Sequence, residues 1–186
     1  MFGTGNTRGA DGEANPLDAD GDNVVDISGE EILPEFAYRA VPARFRGLET
    51  EGRFRILEQP GFLDLILRFD YVRAEDRSTG TPLPRIPPRR YTAGLAYEQR
   101  GVGARLDVTY IDHQNRVAPN ELPTDAYTMG NAALTYTVTL ADQGSAQFFV
   151  RGVNLLNEEA RNHVSIIKDI APLGKRSAQA GVRVQF

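Results

Sequence analysis

Much of this sequence alternates between apolar and polar residues with a period of two. In residues 104–110 (ARLDVTY), every second side chain is apolar or aromatic, and Arg105, Asp107 and Thr109 lie between them. Successive side chains of a β-strand point to opposite faces, so this segment predicts a strand with one apolar and one polar face. The same alternation recurs in residues 48–56, 62–71, 128–140 and 178–186.

The alternation predicts seven antiparallel strands, most of them longer than the usual ~5–6 residues. They cover approximately residues 38–57, 61–73, 89–98, 102–112, 125–140, 146–157 and 177–186. Short and long connections alternate between them: residues 58–60, 99–101 and 141–145 are short, whereas 74–88, 113–124 and 158–176 are long. Outer-membrane β-barrels have short turns on one side and long loops on the other. The pattern therefore favours the antiparallel meander of a transmembrane barrel over a soluble β-sandwich or lipocalin-like barrel.

Composition excludes several other classes of function. The 186 residues carry a net charge of −4, which argues against a nucleic-acid-binding protein. The chain has no Cys, which removes disulfides, thiol catalysis and Cys-ligated zinc. We find no run of about 18 apolar residues for a transmembrane helix. There is also no recognisable nucleophile–base pair, phosphate loop or pair of catalytic carboxylates, so we do not expect an enzyme.

Residues 1–35 are acidic and rich in glycine, and we expect them to form an extracellular loop. Within them, acidic residues occupy positions 1, 3, 5 and 9 of the run 18–26. Alternating carboxylates on a loop can supply the hard oxygen ligands that calcium prefers. Asn23 stands where an EF-hand loop has its glycine, and Gly29 stands where that loop has its bidentate glutamate. The candidate calcium ligands are Asp18, Asp20, Asp22 and Asp26, and a solvated acidic loop is the alternative.

The two histidines, His113 and His163, fall in two different long connections. Imidazole is a good zinc ligand, and nearby carboxylates could assist it. The sequence therefore offers a weak candidate zinc site, with two exposed loop histidines as the alternative. The carboxylates that could assist are Asp112, Asp125, Glu158 and Glu159.

The last third of the chain resembles the C-terminal end of a TonB-dependent outer-membrane receptor. The similar segments are 124–128, the Asn-Leu-Leu-Asn element within 150–157, residues 161–163 and 167–176, and the aromatic-terminated strand 181–186. Residues 43–49 and 83–89 are also similar to this region. The Pro-Arg-Ile-Pro loop and residues 163–169 are similar to the branch that includes zinc-uptake (ZnuD-like) receptors.

The resemblance implies that residues 36–186 are C-terminal strands of a 22-stranded transmembrane β-barrel, without the family's plug domain and TonB box. It implies an outer-membrane location in a Gram-negative bacterium and uptake of a metal ion, metal chelate or siderophore. The expected partners are membrane lipid, the barrel assembly machinery and the substrate, with TonB acting only through the missing plug. Phe186, the terminal aromatic residue, is the expected assembly signal. Apart from candidate calcium, no cofactor is expected.

The pattern leaves two alternatives open. One is a small stand-alone barrel that recruits part of residues 1–35 as an eighth strand. The other is a β-sandwich interaction module that binds calcium through residues 18–26. Dependence on detergent would distinguish the sandwich from either kind of membrane barrel.

Overall fold

The computed structural model describes residues 2–8, 33–37, 40–140 and 144–186, and every regular element among them is a β-strand. No helix in these ranges has the length and apolar character needed to cross a membrane. The strands are β1 (Phe2–Arg8), β2 (Leu33–Ala37), β3 (Ala43–Leu57), β4 (Phe62–Asp76), β5 (Arg90–Gln99), β6 (Val102–Ile111), β7 (Tyr127–Thr139), β8 (Ser145–Val153) and β9 (Ser177–Gln185).

The chain divides into two compact units. The smaller unit comprises residues 1–42 and 77–79, and its described strands β1 and β2 pair antiparallel from Phe2↔Ala37 to Arg8↔Leu33. No strand was predicted in residues 1–35, whereas β1 and the first residues of β2 lie within them. Backbone hydrogen bonds can pair glycine-rich segments that carry no alternating apolar side chains, and such a pair leaves no period-two signal. The candidate calcium run 18–26 lies outside the described residues, and the acidic extracellular loop stays a prediction.

The larger unit comprises residues 43–76 and 80–186 and contains a seven-stranded antiparallel sheet. Its strand order is β3-β4-β5-β6-β7-β8-β9, so each strand pairs with its neighbours along the chain. This confirms the predicted all-β meander. Two predicted strands are too long: the first, 38–57, begins before β3 starts at Ala43, and the sixth, 146–157, continues past the end of β8 at Val153. Asn154 and Asn157 have positive φ values of 51° and 57°, and this conformation ends the strand in a turn.

The short connections lie at one end of the sheet and the long ones at the other, because an antiparallel meander reverses direction at each connection. Between β5 and β6 the turn consists of Arg100 and Gly101, with φ values of 46° and 83°. Positive φ at both central residues is typical of a type I′ hairpin turn. A Cβ atom on Gly101 would also lie 2.5 Å from the carbonyl oxygen of Thr137, so this position requires glycine for space as well as for φ.

The register of the sheet separates its side chains into two faces. Residues directly opposite each other in neighbouring strands share a face, and the pairs Leu48↔Tyr71 and Glu51↔Arg68 belong to opposite faces. We call them the apolar face and the polar face. The apolar face carries Leu48, Phe54, Leu67, Phe69, Tyr71, Tyr91, Leu95, Leu106, Val108, Tyr110, Leu134, Tyr136, Phe148, Val150, Val182 and Val184. The polar face carries Glu49, Glu51, Arg53, Arg55, Asp64, Arg68, Asp70, Arg90, Arg105, Asp107, Arg151 and Arg183.

Large apolar side chains of the sheet remain exposed. Among the described residues, the buried apolar side chains are Ile66 and four alanines, whereas Leu106, Leu134 and Val150 are each more than two-fifths exposed. A soluble β-sandwich would cover such a face with a second sheet. Within the described ranges no second sheet covers the apolar face, and such a face is stable only in contact with another apolar medium or partner.

Candidate functional site

The polar face is lined with ion pairs between neighbouring strands. Glu51 of β3 stands opposite Arg68 of β4, and the Arg68 Nε atom donates to Glu51 Oε2 at 2.7 Å. Asp64 of β4 contacts two arginines of β3: Arg55, directly opposite, and Arg53, whose Nε lies 3.2 Å from Asp64 Oδ2. Because acidic and basic side chains pair in this way, the part of the polar face formed by β3 and β4 is densely charged but has little net charge.

Among the described residues, ion pairs also occur on β4, β5 and β6, but not at the arginines of β8 and β9. Arg90 Nε lies 3.5 Å from Asp70 Oδ2, and Arg105 donates to both carboxylate oxygens of Asp107 at 2.6 and 2.8 Å. On β8 and β9, Arg151 and Arg183 line a cavity of about 290 Å³ with Gln147 and Gln179.

Within the described part of the chain, neither Arg151 nor Arg183 contacts a carboxylate. This part of the polar face therefore offers guanidinium groups that an anionic group from outside the sheet could bind.

A larger cavity lies where the long connections meet the polar face. Its volume is about 530 Å³. The strands contribute residues of the polar face to one wall: Arg90, Thr109, Ile111, Tyr127, Met129 and Asn131. The connections contribute the other wall: Pro87, Pro88, Asn162, His163, Val164 and Leu173. The lining combines one cation, one phenol, two amides and a thioether, a set suited to a small polar or metal-containing ligand.

Asn154 holds the connection 154–176 in place. It is fully buried; its amide nitrogen Nδ2 donates to the carbonyl oxygens of Glu158 at 2.8 Å and Gly174 at 3.0 Å. Its Oδ1 accepts from the backbone N–H of Glu158 at 2.9 Å, and its own N–H donates to Asn131 Oδ1 at 3.0 Å. One side chain therefore joins both ends of the connection, while its backbone is joined to the cavity wall at Asn131.

His163 joins this connection to the preceding one. Its side chain is almost completely buried, with Nδ1 3.0 Å from Thr124 Oγ1 and Nε2 3.3 Å from Glu121 Oε1. Burial lowers the pKa of His163, an effect that the Glu121 carboxylate opposes. The ring is therefore neutral near pH 7. Glu121 is itself held by the backbone N–H groups of Arg85 and Ala118, at 2.8 and 3.0 Å.

Lys168 adds a second buried link between the same two connections. Its Nζ donates to the carbonyl oxygen of Leu122 at 2.7 Å and contacts the Asp169 carboxylate at 3.1 Å. The carbonyl oxygen of Lys168 accepts from Arg161 Nη1 at 2.7 Å. The loop wall of the cavity is thus fixed by specific polar contacts.

The structure places the two histidines of the zinc hypothesis in different surroundings. His113 is exposed, with Nδ1 2.9 Å from Asp112 Oδ1, and it lines another cavity than His163. Of the other candidate ligands, Glu159 contacts Arg161 and Lys175. In the described ranges, no cluster of three or more His, Asp or Glu residues could hold a metal ion. The zinc site stays a prediction from sequence.

Several residues of the site were missed by the sequence analysis. Asn154 was noted as part of a family element and was assigned to a predicted strand, so its role as a buried anchor had no signal in the sequence. Lys168 was noted only as part of the family-like segment 163–169. Met129 and Tyr127 lie in a predicted strand, but the period-two pattern could not indicate that a distant loop covers them. Phe186 is fully exposed beside the end of β9, and its role in assembly stays a prediction.

Comparison with known proteins gives a family match and a structural match. Residues 4–155 match the family model described as TonB dependent receptor-like, beta-barrel. The solved structure of a protein named copper transporter OprC matches with a TM-score of 0.67 and 18% sequence identity. The match covers 84% of this chain but only 25% of that protein, so the chain spans about a quarter of its length. At this identity the likeness shows a shared fold.

Proposed function

We propose, on the premise that this chain belongs to the TonB-dependent receptor-like β-barrel family, that it forms part of the wall of an outer-membrane uptake receptor. The family consists of receptors in the outer membrane of Gram-negative bacteria, not of enzymes. In this proposal the apolar face contacts lipid and the polar face lines the interior of the barrel.

The observation that carries the proposal is the pair of unlike faces on one uncovered sheet. The ten-residue strands β5 and β6 are each roughly 33 Å long at ~3.3 Å per residue. With the usual tilt of ~35–45°, they cross roughly 25 Å, the height of the apolar band of an outer-membrane barrel. Aromatic residues lie near both ends of this band: Tyr71, Tyr91 and Tyr110 towards the long connections, and Tyr97, Tyr136 and Phe148 towards the short turns.

The substrate we propose is a metal ion, a metal chelate or a siderophore. The 530 Å³ cavity supports this class because it lies at the long-connection end of the polar face and presents Arg90, Tyr127 and Met129 to the interior. The name of the structural neighbour, a copper transporter, points to the same class. TonB acting on a plug domain would supply the energy for uptake. The residues of this chain would form part of the barrel wall and of its loops.

The membrane arrangement can be tested with single cysteines, because the chain has none of its own. Leu106→Cys and Asp107→Cys place a fluorophore at adjacent positions on opposite faces. In isolated outer membranes, we expect spin-labelled lipid to quench the Leu106→Cys probe and not the Asp107→Cys probe. A soluble module, or a barrel with reversed faces, would give no lipid quenching at position 106, and the proposal would be wrong.

The substrate class can be tested by uptake. Cells that depend on a receptor containing this chain should take up Cu²⁺, Zn²⁺ or a ferric siderophore, and Arg90→Gln with Met129→Leu should reduce uptake at unchanged receptor level. The matched control is Gln179→Glu on the same polar face, outside the 530 Å³ cavity. Equal uptake by all variants would exclude the cavity as part of the substrate route.

A further inference from the structure

A cluster of arginines surrounds one carboxylate at the long-connection end of β4. Glu75 Oε1 accepts from Arg44 and lies 3.8 Å from Arg46 Nη2, and Glu75 Oε2 lies 3.7 Å from Arg73 Nε and 3.3 Å from Arg116 Nη2. We call Arg44, Arg46, Arg73 and Arg116 the arginine cluster. Four guanidinium groups meet a single carboxylate there, so the cluster carries a clear excess of positive charge.

The register places three of these arginines on the apolar face. Arg46 stands opposite Arg73 and Arg44 opposite Glu75, two and four residues before Leu48, whose pair with Tyr71 lies on the same face. The cluster therefore follows directly on the aromatic row at this end of the apolar face. In that row, the ring centroids of Phe69 and Tyr91 are 5.0 Å apart, and those of Tyr91 and Tyr110 are 6.2 Å apart.

A cavity of about 280 Å³ opens beside the cluster. Arg73, Arg89 and Arg116 line it, together with Tyr71 and Asn115. The Arg89 guanidinium lies 5.4 Å from the centre of the Tyr71 ring and 3.8 Å from the Asp112 carboxylate. The cavity thus has a cationic lining and an aromatic residue at its boundary with the apolar face.

The arginines are held in place by hydrogen bonds and ion pairs, but not all of their N–H donors have an acceptor within the cluster. Arg116 is fixed by hydrogen bonds from Nη1 to the carbonyl oxygen of Ala74 at 3.0 Å and from Nη2 to Glu75 at 3.3 Å. The side chains of Arg44 and Arg46 remain 51% and 59% exposed. A guanidinium has five N–H donors, and one shared carboxylate cannot accept from all those in the cluster. Glu75 therefore orients the cluster and leaves donors for a further anion.

We propose that the arginine cluster binds the phosphate groups of an anionic lipid headgroup at the outer edge of the apolar face. This proposal rests on the proposed function, in which that face contacts lipid. Aromatic rings lie at the level of the headgroups in membrane proteins, and arginine donors beyond the ring row lie where headgroup phosphates are found. Guanidinium groups match the geometry of phosphate oxygens and bind them in a bidentate manner.

The test measures lipid retained by the full chain purified in mild detergent. The probes are bisphosphorylated lipid A, its monophosphorylated form and zwitterionic phosphatidylethanolamine, each quantified by mass spectrometry after washing. The test variant is Arg46→Gln with Arg73→Gln, whose contacts to Glu75 are long. The matched control, Arg151→Gln with Arg183→Gln, removes the same charge from the polar face.

We expect the wild-type chain to retain the bisphosphorylated lipid in preference to the monophosphorylated one. The Arg46/Arg73 variant should retain roughly tenfold less of it, since each arginine near a lipid surface adds appreciably to anionic binding. The Arg151/Arg183 control should match the wild type. Glu75→Gln, which raises the positive charge, should retain at least as much lipid if the cluster stays folded.

Four results would overturn the proposal. Equal retention by both double variants would mean that the arginines do not select the lipid. Release of lipid A by inorganic phosphate at equal concentration would assign the cluster to a free anion. Absence of every lipid, including phosphatidylethanolamine, together with no lipid quenching of the Leu106→Cys probe, would show that the proposed membrane arrangement itself is wrong. Absence of lipid A alone would reject only the headgroup site.

Discussion

The strands and the long connections of the larger unit distribute polarity in opposite ways. In the strands, large apolar side chains such as Leu134 and Phe148 are exposed, whereas in the connections the buried side chains include His163 and Lys168. A soluble domain combines an apolar interior with a polar surface. Here the strands depend on an apolar environment outside the protein, and the connections depend on polar contacts within it.

The two regions therefore respond to different perturbations. The free energy of unfolding of the strands depends mainly on the medium that covers the apolar face. A charged side chain on that face is therefore destabilising. The connections are held by a few buried hydrogen bonds, so removal of one partner leaves the others unsatisfied. Substitutions in the strands and in the connections should therefore have different effects, and the following predictions compare them.

The largest effect is expected for Leu106→Arg, at the middle of β6 on the apolar face. A cation at the centre of a lipid-facing strand costs about 2–4 kcal/mol. The measurement is urea unfolding of the chain in lipid vesicles. Asp107→Asn, one residue further on the polar face, is the control and should cost less than about 1 kcal/mol. Similar losses for the two variants would contradict the assignment of the faces.

Asn154→Ala should give the next largest effect, and it should be confined to the connections. The substitution leaves the carbonyl oxygens of Glu158 and Gly174 without their donor, at a cost of about 2–3 kcal/mol. Hydrogen exchange should accelerate across residues 154–176 while β4–β6 stay protected.

The control for Asn154→Ala is Asn157→Ala, which also has positive φ but is exposed and loses a single contact to the Arg176 N–H. It should leave most of the connection protected. Equal acceleration by the two variants would show that backbone strain, rather than the buried amide, decides the result.

A pH dependence should distinguish His163 from His113. Because burial lowers the pKa of His163, the unfolded connection takes up a proton more readily than the folded one as the pH falls through about 6.5. The stability that the neutral ring supports is complete above that pH and decreases below it. Hydrogen exchange near residues 118–124 and 161–168, expressed relative to the intrinsic exchange rate at each pH, should therefore accelerate between pH 7 and pH 5.

His163→Gln should abolish most of this acceleration, although it will raise exchange at all pH values because the ring packing is lost. His113→Gln should leave the pH dependence unchanged, since its side chain is exposed. If His113→Gln removes the dependence instead, the buried ring is not the titrating group.

The smallest effect is expected for the pair Thr92 and Thr109, which face each other across β5 and β6 on the polar face with their Oγ1 atoms 3.0 Å apart. A double-mutant cycle with Thr92→Val and Thr109→Val should give a coupling of about 0.2–1 kcal/mol. A larger coupling would contradict the view that the strands are stabilised mainly by the medium over the apolar face rather than by contacts on the polar face.

Sequence alone could predict the sheet because period two is a property of consecutive residues. The strands β5 and β6 were predicted within one residue of their observed ends, and the alternation of short and long connections follows from the same pattern. The pair β1–β2 was missed because its backbone pairing is accompanied by no alternation. The end of β8 was placed too late because Val153 is followed by Leu155, which continues the apolar pattern through a turn that only the φ values show.

The candidate site was much less predictable. His163 and Asp112 could be named as residue types with metal-binding chemistry, but burial and the separation of the two histidines depend on how two connections fold against each other. The arginine cluster combines β3, β4 and the connection at Arg116, which lie up to 72 residues apart in the chain. Contacts of this kind require the register, which no local pattern specifies.

The strict next-neighbour order from β3 to β9 also determines the kinetics of sheet formation. Every pairing joins two strands that are separated by a single connection. The entropic cost of loop closure is therefore divided over six pairings, each of which closes only one connection. Low separation between paired segments is associated with fast folding. Strand addition can therefore proceed hairpin by hairpin, with the short connections closing fastest and the connection 154–176 closing slowest.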